Sequence, residues 1–189
     1  METQKRVGIE SRKKLILTLF LIFMVGCITG WIYEMGFYRI NDGRFIKRGQ
    51  GYGPWLPIYG FGTLAITVLF YNKKESPVTV FLGSALVSGG LEFAVGWLMF
   101  HLGNGLRLWD YNVEIWNWGN LGGYVCLRSV LVFGLAGLLC IYIVIPRIYE
   151  MAVRPRKISL EAMMIPLGIV FMIDLIVGYM VKPIMGMIR

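Results

Sequence analysis

The stretch LILTLFLIFMVGCITGWIYE, residues 15–34, decides the fold class of this chain of 189 residues. No charged residue occurs from Leu15 through Tyr33, and about 20 apolar residues are enough to cross a bilayer as a helix. The stretch ends on a carboxylate, Glu34. A carboxylate this close to hydrocarbon needs a partner, and it commonly marks a functional site. We therefore predict a membrane-spanning helix with a polar site near its end.

The composition extends this prediction to the whole chain. Hydrophobic residues make up 57% and charged residues only 16%, whereas soluble proteins average about 25% charged residues. We predict an all-α, polytopic transmembrane helix bundle in a single integral membrane domain, residues 1–189. Backbone groups in lipid must be satisfied internally, so the spans should be helices. About five are expected, at approximately residues 15–38, 56–71, 78–100, 122–145 and 162–181, the second being short and the fourth ending at Pro146.

The net charge of +8 raises the question of nucleic-acid binding. No basic stripe lies on a segment that reads as a soluble fold, so we exclude nucleic acid as a partner. Membrane proteins collect Lys and Arg in cytoplasmic loops instead. The basic N-terminal tail therefore predicts a multi-pass protein of the plasma membrane with a cytoplasmic N-terminus. Four basic residues between Arg39 and Arg48 are exceptions to this bias, because they fall on the outer side.

One pattern occurs twice: a glutamate ends an apolar segment, and a Gly-Tyr pair opens a later one that contains Phe-Gly. The copies are Glu34, Gly51-Tyr52, Phe61-Gly62 and Glu92, Gly123-Tyr124, Phe133-Gly134. The corresponding spans would run in the same direction. The pattern therefore suggests a parallel two-fold repeat of helix pairs, an arrangement used by some transporters. Chance similarity between glycine-rich membrane helices is the competing interpretation.

Residue spacing orients both glutamates. Glu34 lies four residues after Gly30, and Glu92 lies four residues after Ser88, so each shares a helix face with small residues. Small residues at this spacing mark close helix packing in membranes. Both carboxylates should therefore face protein. We expect ion pairs of Glu34 with Arg48 and of Glu92 with Arg128, either as a structural scaffold or as part of a binding site.

Two loops accompany these carboxylates. The first loop is rich in residues that permit or fix unusual backbone angles, and it is predicted to form a tight turn that enters the membrane and starts a helix. These residues are Gly49, Gly51, Gly53, Pro54, Pro57, Gly60 and Gly62. The second contains Trp109, Asp110 and Tyr111. Asp110 is expected to pair with Arg48 or to line the mouth of a cavity.

Several chemistries are excluded by the motifs that the sequence lacks. His101 is the single histidine, and Cys27, Cys126 and Cys140 lie in apolar segments without a CxxC motif, so we predict no metal site and no cofactor. The sequence has no P-loop motif for an ATPase and no GxSxG or HExxH motif. An enzyme is therefore not the favoured interpretation, and we assign no catalytic residue.

The motifs resemble the CmpB-type family of ABC-transporter permeases. The resemblance rests on residues 30–34, on 48–62, on Leu91-Glu92 with Gly96-Trp97, on residues 109–111 and on residues 123–127. Lys47 and Phe133 depart from the family pattern. The resemblance implies a polytopic membrane protein that works with a separate ATPase subunit, and the basic loop 147–161 is the docking candidate. Five spans are few for a complete transporter, so a homo-oligomer is also expected.

These observations favour a membrane transport component, such as a permease subunit for a small polar or anionic solute. Two alternatives remain: a structural or sensory membrane protein with a charge-paired core, and an interfacial enzyme acting on lipid headgroups. The candidates for solute binding or ion pairing are Glu34, Arg48, Tyr52, Glu92, Trp109, Asp110, Tyr111 and Arg128.

Overall fold

A computed structural model describes residues 2–154 and 159–181, with the side chains of 12–152, 154 and 159–181. The predicted docking loop 147–161 therefore lies partly outside the described residues, as do Lys182 and Arg189 at the end of the chain. Within the described part the chain is helical, and the one β-type contact is an isolated bridge between Leu121 and Val125. The predicted all-α fold is confirmed.

Six α-helices follow one another along the described chain. They are α1 (Glu2–Asn41), α2 (Pro57–Phe70), α3 (Pro77–Leu102), α4 (Leu127–Leu139), α5 (Ile145–Val153) and α6 (Leu160–Ile176). A 3-10 turn, Tyr71–Lys73, follows α2, and π turns follow α4 at Cys140–Val144 and α6 at Val177–Val181. Two starts follow sequence signals: Pro57 opens α2, and the Ser76 hydroxyl accepts the Thr79 N–H ahead of Pro77 in α3.

Four helical segments of the described chain are long and apolar enough to cross a membrane. They are Arg12–Asn41, Pro77–Leu102, Leu127–Ala152 and Leu160–Val181. Helix α2 has 14 residues, so its length is about 21 Å, less than the roughly 30 Å of a hydrocarbon core. The predicted second span is therefore a short helix, as expected from the glycine- and proline-rich loop before it.

The fourth span differs from its predicted boundaries at both ends. Gly122 and Gly123 have positive φ angles of 62° and 81°, so the chain turns there and α4 begins only at Leu127. At the other end the helix does not stop at Pro146. Proline lacks an N–H and cannot donate a helical hydrogen bond. In the π turn before it, the hydrogen bond joins residues five apart instead of four, and the Ile145 N–H donates to the Cys140 carbonyl. Helix α5 then continues to Val153.

The described chain forms two compact units. Unit 1 comprises the described residues within Met1–Phe61 and Arg147–Arg189, and unit 2 comprises Gly62–Pro146. In unit 1, the rings of Phe23 and Trp55 pack edge-on against Phe171, each with centroids 5.6 Å apart. In unit 2, the apolar core consists of Ile66, Phe70, Val80 and Ile141.

The predicted packing faces are observed in both units. Gly26 and Gly30 of α1 are buried, and Glu34 on the same face is half-buried. In α3, Ser84 and Glu92 are buried, while Ser88 and Gly96 are half-buried. A Cβ atom at Gly137 of α4 would overlap the Ser84 side chain, so the close approach of α3 and α4 requires a glycine there.

Candidate functional site

The first loop of unit 1 is held by a carboxylate from α6. Asp174 Oδ1 accepts the Tyr52 backbone N–H at 2.6 Å, and Oδ2 accepts the Gly53 N–H at 3.1 Å. The indole Nε1–H of Trp55 donates to the same Oδ2 at 2.7 Å. Asp174 is only 9% exposed. Three N–H donors thus stabilise a charge that lies in an apolar helix.

Two glycines allow the loop to come this close. A Cβ at Gly51 would overlap the Asp174 carboxylate. Gly178 follows Asp174 by one helical turn, and a Cβ at Gly178 would lie 2.8 Å from the Gly51 backbone. Contact between two backbones leaves no room for a side chain, so small residues are required at both positions. The loop also turns at Gly49, where φ is 85°.

The other predicted loop residues have separate roles. A Cβ at Gly53 would overlap the Trp55 ring, and a Cβ at Gly60 would press on Phe23 and Cys27. Pro54 precedes Trp55 in the loop, and Pro57 opens α2. Gly62 is different, because its nearest neighbour, Leu91, would be 3.9 Å from a Cβ. That position, although buried, has room for a methyl group.

Glu34 and Arg48 form the ion pair expected from the sequence. Arg48 Nε lies 2.5 Å from Glu34 Oε2, and the Tyr59 hydroxyl donates to Oε1 at 2.9 Å. The guanidinium also stacks on Tyr38, 4.0 Å from the ring centre. Burial lowers the pKa of Arg48, but the charges of Glu34 and Tyr38 outweigh it and raise that pKa above its ordinary value. Arg48 therefore remains a cation with a fixed orientation.

Glu92 of unit 2 is bound by hydroxyl groups. The Tyr111 hydroxyl donates to Oε1, and the Ser129 hydroxyl lies 2.9 Å from Oε2. Tyr111 is 6% exposed, and Ser129 is 1% exposed. Burial, reinforced by the neighbouring Glu92, raises the pKa of Tyr111 well above its ordinary value, so the phenol keeps its proton and acts as a donor.

Arg128 was predicted to pair with Glu92, but the ion pair observed joins it to Glu114. Arg128 Nη2 lies 2.7 Å from Glu114 Oε2, and the two side chains are 10% and 4% exposed. Because α4 begins at Leu127, Arg128 lies in the first helical turn, next to the incoming loop. The same guanidinium lies 5.4 Å from the centre of the Tyr111 ring.

The remaining predicted residues make contacts close to their own loops. The Asp110 carboxylate accepts the Asn112 backbone N–H at 3.0 Å and lies 3.5 Å from Arg107 Nη1, so its observed ion-pair partner is Arg107. The Trp109 indole donates to the Tyr124 carbonyl at 2.9 Å. The Tyr52 side chain is 68% exposed, and its contribution to the Asp174 contact is its backbone N–H.

Sequence reasoning missed Asp174, Glu114, Tyr59 and Ser129 as partners. Asp174 had a visible signal, because it is the single charged residue between positions 162 and 181. No group of three potential metal ligands of the types His, Cys, Asp and Glu occurs in the described residues. Cys27, Cys126 and Cys140 are buried free thiols.

A family model matches these same parts of the chain. The family is described as Putative ABC-transporter type IV, of the CmpB type, and its model covers residues 21–179. The chain belongs to this family. The match includes Glu34, Glu92 and Asp174, together with both loops, so all three acidic centres lie within the family region. No curated protein and no solved structure matches the chain.

Membership of this CmpB family agrees with the fold described above. Its description names a class of ABC transporter, and the four long apolar helices are those of a membrane protein. The family description names no solute.

Proposed function

We propose that this chain is the membrane-embedded subunit of an ABC-type transport system for a small polar or anionic solute. It would lie in the plasma membrane with a cytoplasmic N-terminus, as one multi-pass domain, and assemble with a second copy. The family membership supports the transport class. The sequence contains no P-loop, so ATP hydrolysis would come from a separate subunit. Arg147 and Arg154, both exposed, are candidates for docking it.

The Arg48–Glu34 pair is the observation on which the anionic solute rests. It places a permanent cation at the end of an apolar helix, with Arg48 18% and Glu34 14% exposed. A carboxylate or phosphate on a solute competes with Glu34 for the guanidinium, because Arg binds both groups in the same bidentate manner. A solute anion that replaces Glu34 as the partner of Arg48 therefore binds without leaving the guanidinium charge uncompensated.

The fixed loop supports the same proposal. Asp174 anchors the backbone at Tyr52 and Gly53, only a few residues after Arg48, so the loop that contains the cation is held in one conformation. A preorganised site loses less entropy when a solute binds. Tyr52, whose side chain is exposed, would meet the solute at the mouth of the site.

A charge-paired scaffold is the second candidate, and unit 2 favours it. Glu92 and the Arg128–Glu114 pair are buried and bonded within the protein. Buried charged groups that are bonded to other residues of the protein hold helices and loops together without any solute. We assign Glu92, Tyr111 and Arg128 to this structural role, and Trp109 and Asp110 to shaping the second loop.

Uptake measurements test the proposal. Cells with and without the chain would be compared for uptake of a panel of labelled polar and anionic solutes. For a solute whose uptake depends on the chain, Glu34→Gln and Arg48→Gln should lower uptake per folded molecule at least tenfold, while membrane insertion stays close to that of the parent. Glu75→Gln is the matched control, because Glu75 is exposed.

Each outcome separates the two candidates. If uptake in the variants falls only in proportion to the amount of folded protein, the scaffold is the correct assignment. Should no solute distinguish the two strains, the transport proposal fails. The ATPase component has its own test: the tagged full-length chain should co-purify with a P-loop ATPase, identified by mass spectrometry, whose ATP hydrolysis depends on the chain.

A further inference from the structure

An apolar groove runs along unit 1 between α1 and α6. Its volume is about 500 Å³, and it is lined by Ile16, Leu17 and Phe20 of α1 and by residues of α6 between Met164 and Ile176. Several of these side chains are strongly exposed, including Ile16 at 66% and Ile173 at 56%. Gly168 contributes no side chain to the lining, which leaves the middle of the groove open.

The length of the groove fits one acyl chain. Met164 and Ile176 lie about 18 Å apart along a helix with a rise of 1.5 Å per residue. One leaflet of a bilayer contributes about 15 Å of hydrocarbon, half of the roughly 30 Å core. The length of the groove is therefore close to the depth of one leaflet and well short of the full core.

Positive charge collects at one end of the groove. Lys13 precedes the lining residues of α1 by one turn, and Glu161 precedes those of α6 in the same way. Their side chains meet there, with Lys13 Nζ 2.6 Å from Glu161 Oε2. Arg12 and Lys14 are exposed on either side of Lys13. Three cations and one carboxylate leave an excess of positive charge where the groove reaches the level of lipid headgroups.

We propose that this groove binds an anionic phospholipid. One acyl chain lies along α6 beside Gly168, and the phosphate is held by Arg12, Lys13 and Lys14. The Lys13 ammonium has three N–H donors, so it can bond Glu161 and a phosphate oxygen together. Basic residues at the membrane surface select anionic over neutral lipids, and the lipid chemistry follows from this charge. The proposal does not depend on the transport function proposed above.

Native mass spectrometry of the full-length protein in detergent tests lipid selectivity. The probes are phosphatidylglycerol and phosphatidylcholine with identical acyl chains. We expect one phosphatidylglycerol to bind at least tenfold more tightly than phosphatidylcholine. Equal affinity for the two lipids, or no saturable binding, would overturn the proposal. Occupation of the groove by a second copy would appear as a dimer that dissociates when Gly168 is replaced by Leu, and this outcome also contradicts the proposal.

Two variants locate the bound lipid. Gly168→Leu fills the groove, because a Cβ there already lies 3.4 Å from the Phe20 ring, and it should abolish the selective binding. Gly90→Leu adds the same side chain to α3, where no atom lies within 4 Å of the new Cβ, and binding should persist.

A charge variant tests the site even if Gly168→Leu fails to fold. Arg12→Gln combined with Lys14→Gln changes only exposed side chains and should weaken phosphatidylglycerol binding about tenfold or more, at roughly 1 kcal/mol per charge. Lys73→Gln combined with Lys74→Gln removes the same charge from another helix end and should leave affinity unchanged. Equal loss from both pairs would show a nonspecific charge effect and reject the site.

Discussion

The acidic centres of the two units look alike in sequence but use their carboxylates differently. In unit 1, Asp174 binds backbone N–H groups of a loop, and Glu34 binds a partly exposed arginine. In unit 2, Glu92 binds hydroxyl groups, and the arginine pairs with a different carboxylate, Glu114. The difference shows that two glutamates in the same sequence pattern need not have the same kind of partner. A centre that holds an arginine at partial exposure suits exchange with a solute, whereas a buried hydroxyl-bonded centre suits a scaffold.

The largest effect is expected from Asp174→Ala. Hydrogen bonds to a charged group contribute about 1.5–3 kcal/mol each, and this change leaves two loop amides and the Trp55 indole without their acceptor. The free energy of unfolding should fall by roughly 3–5 kcal/mol, as measured by denaturation of the full-length protein in detergent. Asp42→Ala, at an exposed position, is the control and should change stability by less than about 0.5 kcal/mol. A loss below about 1 kcal/mol for Asp174→Ala would show that the carboxylate does not anchor the loop.

The two ion pairs provide the most direct test of the comparison. Glu114→Gln removes the carboxylate charge that lies 2.7 Å from the buried Arg128 guanidinium, and we expect the free energy of unfolding to fall by about 3 kcal/mol. Glu34→Gln should cost less, about 1–2 kcal/mol, because Arg48 is 18% exposed and reaches water. Denaturation of both variants under the same conditions measures the difference. If Glu34→Gln proves the more destabilising change, the assignment of exchange to unit 1 and scaffold to unit 2 is reversed.

Helix content and the Glu34–Arg48 pair were predictable because both are local in sequence. Apolar runs and four-residue spacing indicate helices and faces, and Arg48 follows Glu34 by only 14 residues. The partner of Asp174 was not predictable, since a pattern of side chains does not reveal which backbone amides turn inward. That contact joins Asp174 to a loop more than 100 residues earlier.

The pairing of Arg128 with Glu114 has a separate cause. The apolar pattern placed the start of the fourth span at residue 122, but the left-handed backbone at Gly122 and Gly123 delays the helix to Leu127. Arg128 therefore lies in the first turn of α4, beside the loop that contains Glu114, and not several residues inside the span. The repeat also breaks at this point: Tyr59, which bonds Glu34, follows its Gly-Tyr pair, whereas Tyr111, which bonds Glu92, precedes its own.

A smaller effect is expected from Gly51→Ala. The new methyl group would overlap a carboxylate that three N–H groups hold in place, and overpacking of this kind costs about 1–3 kcal/mol. Gly62→Ala is the matched control, because a Cβ in this buried position of α2 would lie 3.9 Å from Leu91 and alanine favours a helix by up to about 1 kcal/mol over glycine. Thermal unfolding should therefore move in opposite directions for the two variants. A shift in the same direction for both would mean that the loop yields to the added methyl group.

The smallest predicted difference compares the two tyrosines that donate to glutamates. Tyr111→Phe should lower stability by about 1–2 kcal/mol, because it removes a buried donor to Glu92, whereas Tyr59→Phe should cost about 1 kcal/mol or less at a half-buried site. The pH dependence distinguishes them further. The pKa of Tyr111 is raised by burial, so above pH of about 10 the unfolded chain loses this phenol proton while the folded protein retains it, and stability falls as pH rises. Unfolding measured from pH 8 to 11 should show a shallower decline for Tyr111→Phe than for Tyr59→Phe. Parallel declines would show that the Tyr111 phenol ionises as readily in the fold as in the unfolded chain, and the hydroxyl-bonded scaffold of unit 2 would lose its main support.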